Sequence, residues 1–339
     1  MKVVAITGER KAELVEAPDP QPKQDWVVVK VHAAPMCTEY KLFLSGRKME
    51  GVGHEAAGEV VAVAQPGALK VGDRVVCMPL YSCGRCALCV SGDFIHCQQV
   101  PNFAEFTGSR HGSASMAQYT VKPPHLLPLI PEGVSYEMAS LACCALGPTF
   151  GAMETMRVGP FETVLISGAG PVGLGGVVNA KFRGARAIVT ELHPYRVERA
   201  KALGADMVLD PRREDVAKQI MDLTGGRGVD CAIECSGLVQ AQRLCVDVTR
   251  RRGSVGFVGE CQDDQLKITV SPDLIRKGLT LFGSWHYNRN VFPKVMQVIQ
   301  RSPVIEQLIS HIMPMSRIQE AMELCASHDS AKVILKPWE

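Results

Sequence analysis

Residues 163–173, TVLISGAGPVG, decide the fold. The first five, apolar or β-branched, read as a buried strand. A glycine-rich turn follows, and the apolar run to about Arg183 reads as a helix. A G-x-G-x-x-G turn between a strand and a helix is the form that binds a dinucleotide. Gly168 permits the tight turn, Gly170 lets the backbone approach a pyrophosphate, and Gly173 allows close helix–strand packing. Pro171 and Val172 sit between them, where the free N–H groups of the helix start face the phosphates. Glu191 ends the next strand, 18 residues after Gly173. A carboxylate there accepts both ribose hydroxyls of an adenosine and repels a 2′-phosphate, so NAD is expected over NADP. His193 and Arg196 lie nearby and soften that preference, and Arg196 joins the expected cofactor-binding set. A plain solvated charge at a strand end is the other reading of Glu191.

The same texture continues on the C-terminal side. AIVTE (187–191), MVLD (207–210), VDCAIEC (229–235), GSVGFVG (253–259) and LTLFGS (279–284) read as strands. Helical segments start near Tyr195, run from about Asp215 to Leu223, and lie near 239–249. This alternation implies a parallel sheet covered on both faces. Residues 1–145 differ, with short alternating or apolar runs punctuated by Gly, Pro and Asp, and read as mostly β. The change falls near Gly147 and Pro148. After about Trp285 come a helix, a strand (QLISHI), a helix with Ser316 and Gln319 as a capping box, and a last strand, AKVILK. This tail is expected to rejoin the first domain. The expected fold is α/β, with one domain formed by 1–147 and 286–339 and a doubly wound domain over 148–285.

Residues 83–97, CGRCALCVSGDFIHC, place four cysteines at C-x2-C-x2-C-x7-C spacing. Cys83, Cys86, Cys89 and Cys97 can meet in one turn-rich knuckle as a four-thiolate zinc site. Gly84 and Gly92 allow the tight turns. A closed set of four thiolates leaves no position for substrate, so this zinc is expected to be structural.

The 339 residues suit two domains better than one. A net charge of +2 argues against a nucleic-acid platform. No apolar run is long enough to span a bilayer, and the start lacks a signal-peptide pattern. Reducing cytosol is the expected compartment, with the cysteines outside metal sites (Cys77, Cys231, Cys235, Cys245, Cys261, Cys325) serving mostly in packing.

Cys37, His54 and the pair Cys143 and Cys144 stand apart from both motifs, with Glu55 beside His54. Cys37 follows an apolar strand, His54 precedes one, and Cys143–Cys144 lie just before the composition change. Three soft or borderline ligands from separate loops, meeting between two domains, suit a zinc with one open position. Taken singly, a cysteine is usually packing and a histidine is usually surface or hydrogen-bonded core.

Together these stretches resemble the zinc-dependent medium-chain alcohol dehydrogenases, in the branch of sorbitol, threonine and glucose dehydrogenases. The resemblance runs over essentially the whole chain. It rests on Cys37, GHEAAGEVVAVAQPGALKVGDRVV (53–76), the knuckle, LACCALGPTFGA (141–152), GAGPVG (168–173) and ECSG (234–237). It implies a GroES-like β-rich catalytic domain split by an inserted Rossmann domain. It implies a catalytic zinc on Cys37, His54 and Cys144, with Glu55 as a neighbouring group or transient ligand, and a second zinc on the knuckle. The register favours Cys144 over Cys143. Val258 and Gly259 resemble the segment that meets the nicotinamide. The family usually carries Ser or Thr two residues after the first zinc cysteine, and often His five after it, to relay the alcohol proton. Here those positions are Glu39 and Leu42, and Glu39 is the expected substitute relay. The segment between Cys37 and His54 is also short for the family.

The expected reaction is hydride transfer between a secondary alcohol and NAD. Polar side chains in SWHYNR (284–289), with Arg110 and His111, suggest a polyol, sugar or related hydroxyl compound as substrate. A simple aliphatic or aromatic alcohol is the alternative. A non-catalytic protein binding NAD and zinc is the alternative of another class. A homodimer or homotetramer is expected, with no nucleic-acid or membrane partner.

Overall fold

The computed structural model describes residues 1–261 and 265–339. In the N-terminal part, short apolar runs form strands β1 (Lys2–Gly8), β2 (Lys11–Glu16) and β3 (Val27–Pro35), followed by helix α1 (Glu39–Ser45). Strands β4 (Met49–Glu50), β5 (Ala56–Ala62) and β6 (Arg74–Cys77) come next. Short helices α2 (Ala87–Ser91) and α3 (Phe103–Thr107), strand β7 (Tyr119–Lys122) and helix α4 (Tyr136–Ser140) complete this part. The chain then alternates: α5 (Gly147–Met156), β8 (Thr163–Ser167), α6 (Pro171–Phe182), β9 (Arg186–Thr190), α7 (Pro194–Ala202), β10 (Met207–Leu209), α8 (Val216–Leu223), β11 (Val229–Glu234), α9 (Val239–Val248), β12 (Thr249–Phe257) and β13 (Thr280–Gly283). The tail holds α10 (Phe292–Arg301), β14 (Ile309–Pro314), α11 (Ile318–Ala326) and β15 (Lys332–Lys336).

Two compact units result. One contains Met1–Cys144, Asn288–Gln300 and Ile309–Glu339; the other contains Ala145–Tyr287 and Arg301–Leu308.

The first unit is built around β3, whose nine residues are mostly buried. Its sheet runs β14-β15-β3-β5-β6, with β7 also paired to β3. Register decides what the ends of these strands bring together. Ala33 of β3 faces Ala57 of β5, and Ala34 and Pro35 face Leu335 and Ile334 of β15. Continued by a few residues, the antiparallel pairings bring Cys37, His54–Glu55 and Lys332 to one end of the sheet. A bond from the Met36 N–H to the Val333 carbonyl (2.9 Å) ties the last of these in place.

The second unit is a six-stranded sheet in the order β10-β9-β8-β11-β12-β13, with every pair parallel. The order reverses between β8 and β11, the switch point beside which such sheets bind ligands. β11 is buried at all six positions, as expected for a strand covered on both faces.

The capping box at Ser316 does not form. Ser316 lies in a 3-10 turn, Met315–Arg317, and α11 is preceded by Arg317 with no side-chain cap. The Gln319 side chain instead accepts from the Ala12 N–H (2.9 Å) and donates to the Arg10 carbonyl (3.1 Å), fastening α11 to β2.

Candidate zinc and dinucleotide sites

In the first unit, one ligand atom from each of Cys37, His54, Glu55 and Cys144 falls within 4.8 Å of the others. His54 Nε2 lies 3.3 Å from Cys144 Sγ, and His54 Nδ1 lies 2.8 Å from Glu39 Oε1. One ring nitrogen therefore faces the thiols and the other is held by a carboxylate, the arrangement that fixes a metal-binding imidazole. Glu39 is buried at the start of α1, and its second oxygen accepts from the Cys37 N–H (2.8 Å). Burial opposes ionisation of Glu39, but the His54 ring and the Cys37 N–H outweigh it and hold the carboxyl at about 2. Hydrogen bonding from Cys144 holds the Cys37 thiol well below its ordinary value against burial, with Lys332 and His54 adding to the effect. The same bond holds the Cys144 thiol up.

Glu55 is fully buried with both oxygens engaged. Oε2 accepts from the Cys144 N–H (2.9 Å) and Oε1 from the Lys332 ammonium (2.6 Å). Lys332 did not stand out in the sequence, because a lysine in AKVILK reads as a strand-edge charge. The neighbouring Cys143 turns away and donates to the Cys77 carbonyl (3.4 Å) in the core.

Beside His54 lies a cavity of about 240 Å³. Thr38, Glu39 and His54 give it polar atoms, and Leu42, Met49 and Val52 form an apolar wall.

The knuckle sulfurs of Cys83, Cys86, Cys89 and Cys97 also lie within 4.8 Å of one another. Backbone N–H groups of Cys83, Cys86 and Gln99 donate to Cys97, Cys83 and Cys97 sulfurs at 3.2, 3.3 and 3.4 Å, which favours thiolates. The donor set and its spread suit one tetrahedral zinc. Gly84 and Gly92 both take positive φ, +71° and +96°.

Within the polar run Ser284–Arg289, Trp285 is half exposed, while Ser284, Asn288 and Arg289 bond to protein groups. Ser284 Oγ donates to the Pro148 carbonyl, and His286 and Tyr287 are buried. Asn288 Nδ2 donates to the Ser91 carbonyl (2.8 Å) and Asp93 Oδ1 (2.9 Å), and the Arg289 N–H donates to the Gly92 carbonyl (2.9 Å). Asn288 and Arg289 thus grip the knuckle. His111 pairs with Glu50 at 2.9 Å, and Arg110 is exposed.

In the second unit, the glycine-rich turn has the shape a dinucleotide needs. Gly168 has φ +91°. A Cβ on Gly173 would lie 1.9 Å from the Gly168 carbonyl oxygen, so α6 approaches the turn only because that side chain is missing. A Cβ on Gly170 would meet nothing closer than Arg196 Nη1 at 3.9 Å, leaving room at the start of α6. Pro171 and Val172 form the first turn of α6. Glu191 follows β9. Its Oε2 accepts from the Ala169 N–H (2.9 Å), and its Oε1 from the Leu192 and His193 N–H groups (2.7 and 2.9 Å). The carboxylate therefore touches the glycine-rich turn itself. Val258 and Gly259 follow β12, and their N–H groups donate to the Glu234 carbonyl, each at 2.9 Å.

The sequence matches the zinc-binding dehydrogenase family over residues 171–301 and the alcohol dehydrogenase GroES-like domain over residues 23–132. The chain belongs to the zinc-dependent medium-chain alcohol dehydrogenases. It is 31% identical to the sorbitol dehydrogenase of Bacillus subtilis, over 99% of this chain and 97% of that protein. It is 33% identical to the L-threonine 3-dehydrogenase of Pyrococcus furiosus, over 98% of each. An alcohol dehydrogenase of Thermus sp. ATN1 shares the fold, with a TM-score of 0.89, 24% identity and 99% of each chain covered. This dehydrogenase is thus an α/β oxidoreductase with a GroES-like domain and a parallel Rossmann-type sheet, as its sequence implied. No helix among the described residues is long and apolar enough to cross a membrane.

Proposed function

We propose that the chain oxidises a secondary alcohol of a polyol or related hydroxyl compound, with NAD as hydride acceptor and zinc at Cys37, His54 and Cys144. The observation that carries this reading is the cluster of two thiols and the inward-facing His54 Nε2, opening on a cavity. When bound, zinc at such a donor set lowers the pKa of the alcohol hydroxyl, and NAD takes the hydride. The chain's own residues do the rest. Glu39 holds the His54 tautomer and ring orientation through Nδ1. With both oxygens engaged it serves as a positioning residue rather than as the proton relay its sequence position suggested. Glu55, anchored by Lys332, fixes the Cys144 backbone and acts beside the metal. No side-chain relay then remains in the family's register, since Leu42 is apolar, and the proton passes to water in the cavity beside Thr38.

A second zinc, on Cys83, Cys86, Cys89 and Cys97, has a structural role in this reading. NAD is favoured over NADP because the Glu191 carboxylate lies against the Ala169 N–H, where an adenosine ribose is expected and a 2′-phosphate would be repelled. Gly168, Gly170, Pro171, Val172 and Gly173 would receive the pyrophosphate with Arg196 beside them, and Val258 and Gly259 the nicotinamide.

The polyol preference is supported by the relatives, whose names include sorbitol and erythritol/L-threitol dehydrogenase. Leu42, Met49 and Val52 favour a second reading, a simple alcohol with a short alkyl arm. Reduction of NAD and NADP by the zinc-loaded protein, against polyols, sugars and simple alcohols, tests both. Turnover with NADP alone would overturn the reading of Glu191. A cytoplasmic homodimer or homotetramer completes the proposal. Among the described residues β13 is paired on one side only, leaving a sheet edge for a second copy, and sedimentation velocity tests it.

A further inference from the structure

Glu234 ends β11 with its side chain fully buried, and neither metal cluster nor glycine-rich turn uses it. Its carboxylate Oε1 accepts from the Ser236 N–H (2.6 Å), the Ser236 hydroxyl and the Gly237 N–H (3.0 Å). Its own backbone carbonyl accepts from the Val258 and Gly259 N–H groups. One residue thus holds two loops, the turn after β11 through its side chain and the turn after β12 through its main chain.

These loops nest without room for side chains. A Cβ on Gly259 would lie 2.2 Å from the Gly237 nitrogen and 2.8 Å from Glu234 Oε2. A Cβ on Gly237 would lie 2.3 Å from the Glu260 carbonyl oxygen, and one on Gly168 would lie 2.9 Å from the Ser236 Cβ. The glycine-rich turn and the loops after β11 and β12 are therefore stacked backbone to backbone, with Glu234 at the junction. Only donors surround Oε1, the pattern of an ionised carboxylate. None of the ion pairs among the described residues involves Glu234. Burial holds its carboxyl above the ordinary carboxylate value, and the Ser236 and Gly237 donors offset only part of that rise.

We infer that Glu234 is a positioning residue for the dinucleotide, fixing the loops after β11 and β12 against the glycine-rich turn and presenting a buried negative charge that favours the oxidised, cationic nicotinamide over the reduced form. The inference rests on the proposed placement of NAD at this edge. A charge without a cationic partner, in a region of low dielectric, acts on a bound cation over several ångströms.

Titration calorimetry of the full-length, zinc-loaded protein with NAD+ and with NADH tests this, for wild type, Glu234→Gln, Glu234→Asp and Glu234→Ala. Glu234→Gln keeps an acceptor oxygen and the side-chain volume, so it isolates the charge. Its Kd for NAD+ is expected to rise about three- to tenfold more than its Kd for NADH. Glu234→Asp keeps the charge but shortens the reach. Both of its Kd values are expected to rise while their ratio stays near wild type, and a purely structural role would not separate these two variants. Glu234→Ala is expected to weaken both cofactors about tenfold or more. A Glu234→Gln protein with the wild-type ratio, or a Glu234→Ala protein with wild-type affinities, would overturn the inference. Wild-type protein that binds neither dinucleotide would instead overturn the placement of NAD.

Discussion

Lys332 Nζ lies 2.6 Å from Glu55 Oε1, with neither side chain exposed to solvent. The two residues are 277 positions apart, yet they meet because β15 and β5 both flank β3. Removing one partner leaves a buried charge unpaired, which costs roughly 3–5 kcal/mol. Lys332→Met is expected to lower stability by about that amount in chemical denaturation and to weaken zinc retention, since Glu55 also holds the Cys144 backbone. Adding Glu55→Gln to Lys332→Met should restore part of the stability but not the zinc affinity.

Glu39→Gln removes a carboxylate from the far side of His54. Loss of such a partner typically weakens metal binding 10–100-fold, about that range being expected here in competition with a chromogenic chelator. A relay role would leave zinc affinity unchanged and move only the pH–rate profile.

Gly92 combines φ +96° with a Cβ position 2.2 Å from Asn288 Oδ1. Gly92→Ala should therefore both strain the backbone and displace Asn288 from the knuckle, costing about 1–3 kcal/mol. Faster zinc release from the knuckle would accompany it, while Gly67→Ala, with open space around its Cβ position, serves as the neutral control.

The sequence made the two local motifs readable because their geometry is written in spacing. The cysteines at 83, 86, 89 and 97 span only one knuckle, and GAGPVG needs only the strand and helix on either side. The parallel strands were readable for the same reason, as apolar runs between helical segments. What spacing does not encode is which side chain satisfies which. Glu39 stands two residues after Cys37, and the turn into α1 brings its carboxylate to His54 Nδ1 while it still lines the cavity, a double placement that spacing alone does not show. Lys332 was unreadable because β15 is buried on both faces, so alternation along AKVILK does not say which residue points to a charge. Asn288 and Arg289 read as a polar loop available to substrate, whereas their donors meet the carbonyls of the Ser91–Gly92 turn.

Asp230 gives a pH prediction. Burial opposes its ionisation, but the Thr163 N–H, Arg250 and Arg227 outweigh that and hold its carboxyl below the ordinary value. A group depressed on folding adds stability above its unfolded pKa, about 3.9 for Asp, and loses it as pH falls through the lower folded value. Thermal unfolding of wild type is expected to steepen below about pH 4, and Asp230→Asn should show a shallower acid limb from a lower starting stability.

The most direct test of the central claim is a paired measurement on wild type and Cys144→Ser: zinc per chain by mass spectrometry of the metal, and NAD reduction across the alcohol panel. Two zinc ions and turnover in wild type, against one zinc ion and no turnover in Cys144→Ser with the knuckle metal retained, is the predicted result. Full zinc content and wild-type turnover in Cys144→Ser would contradict the assignment of Cys37, His54 and Cys144 as the catalytic metal site.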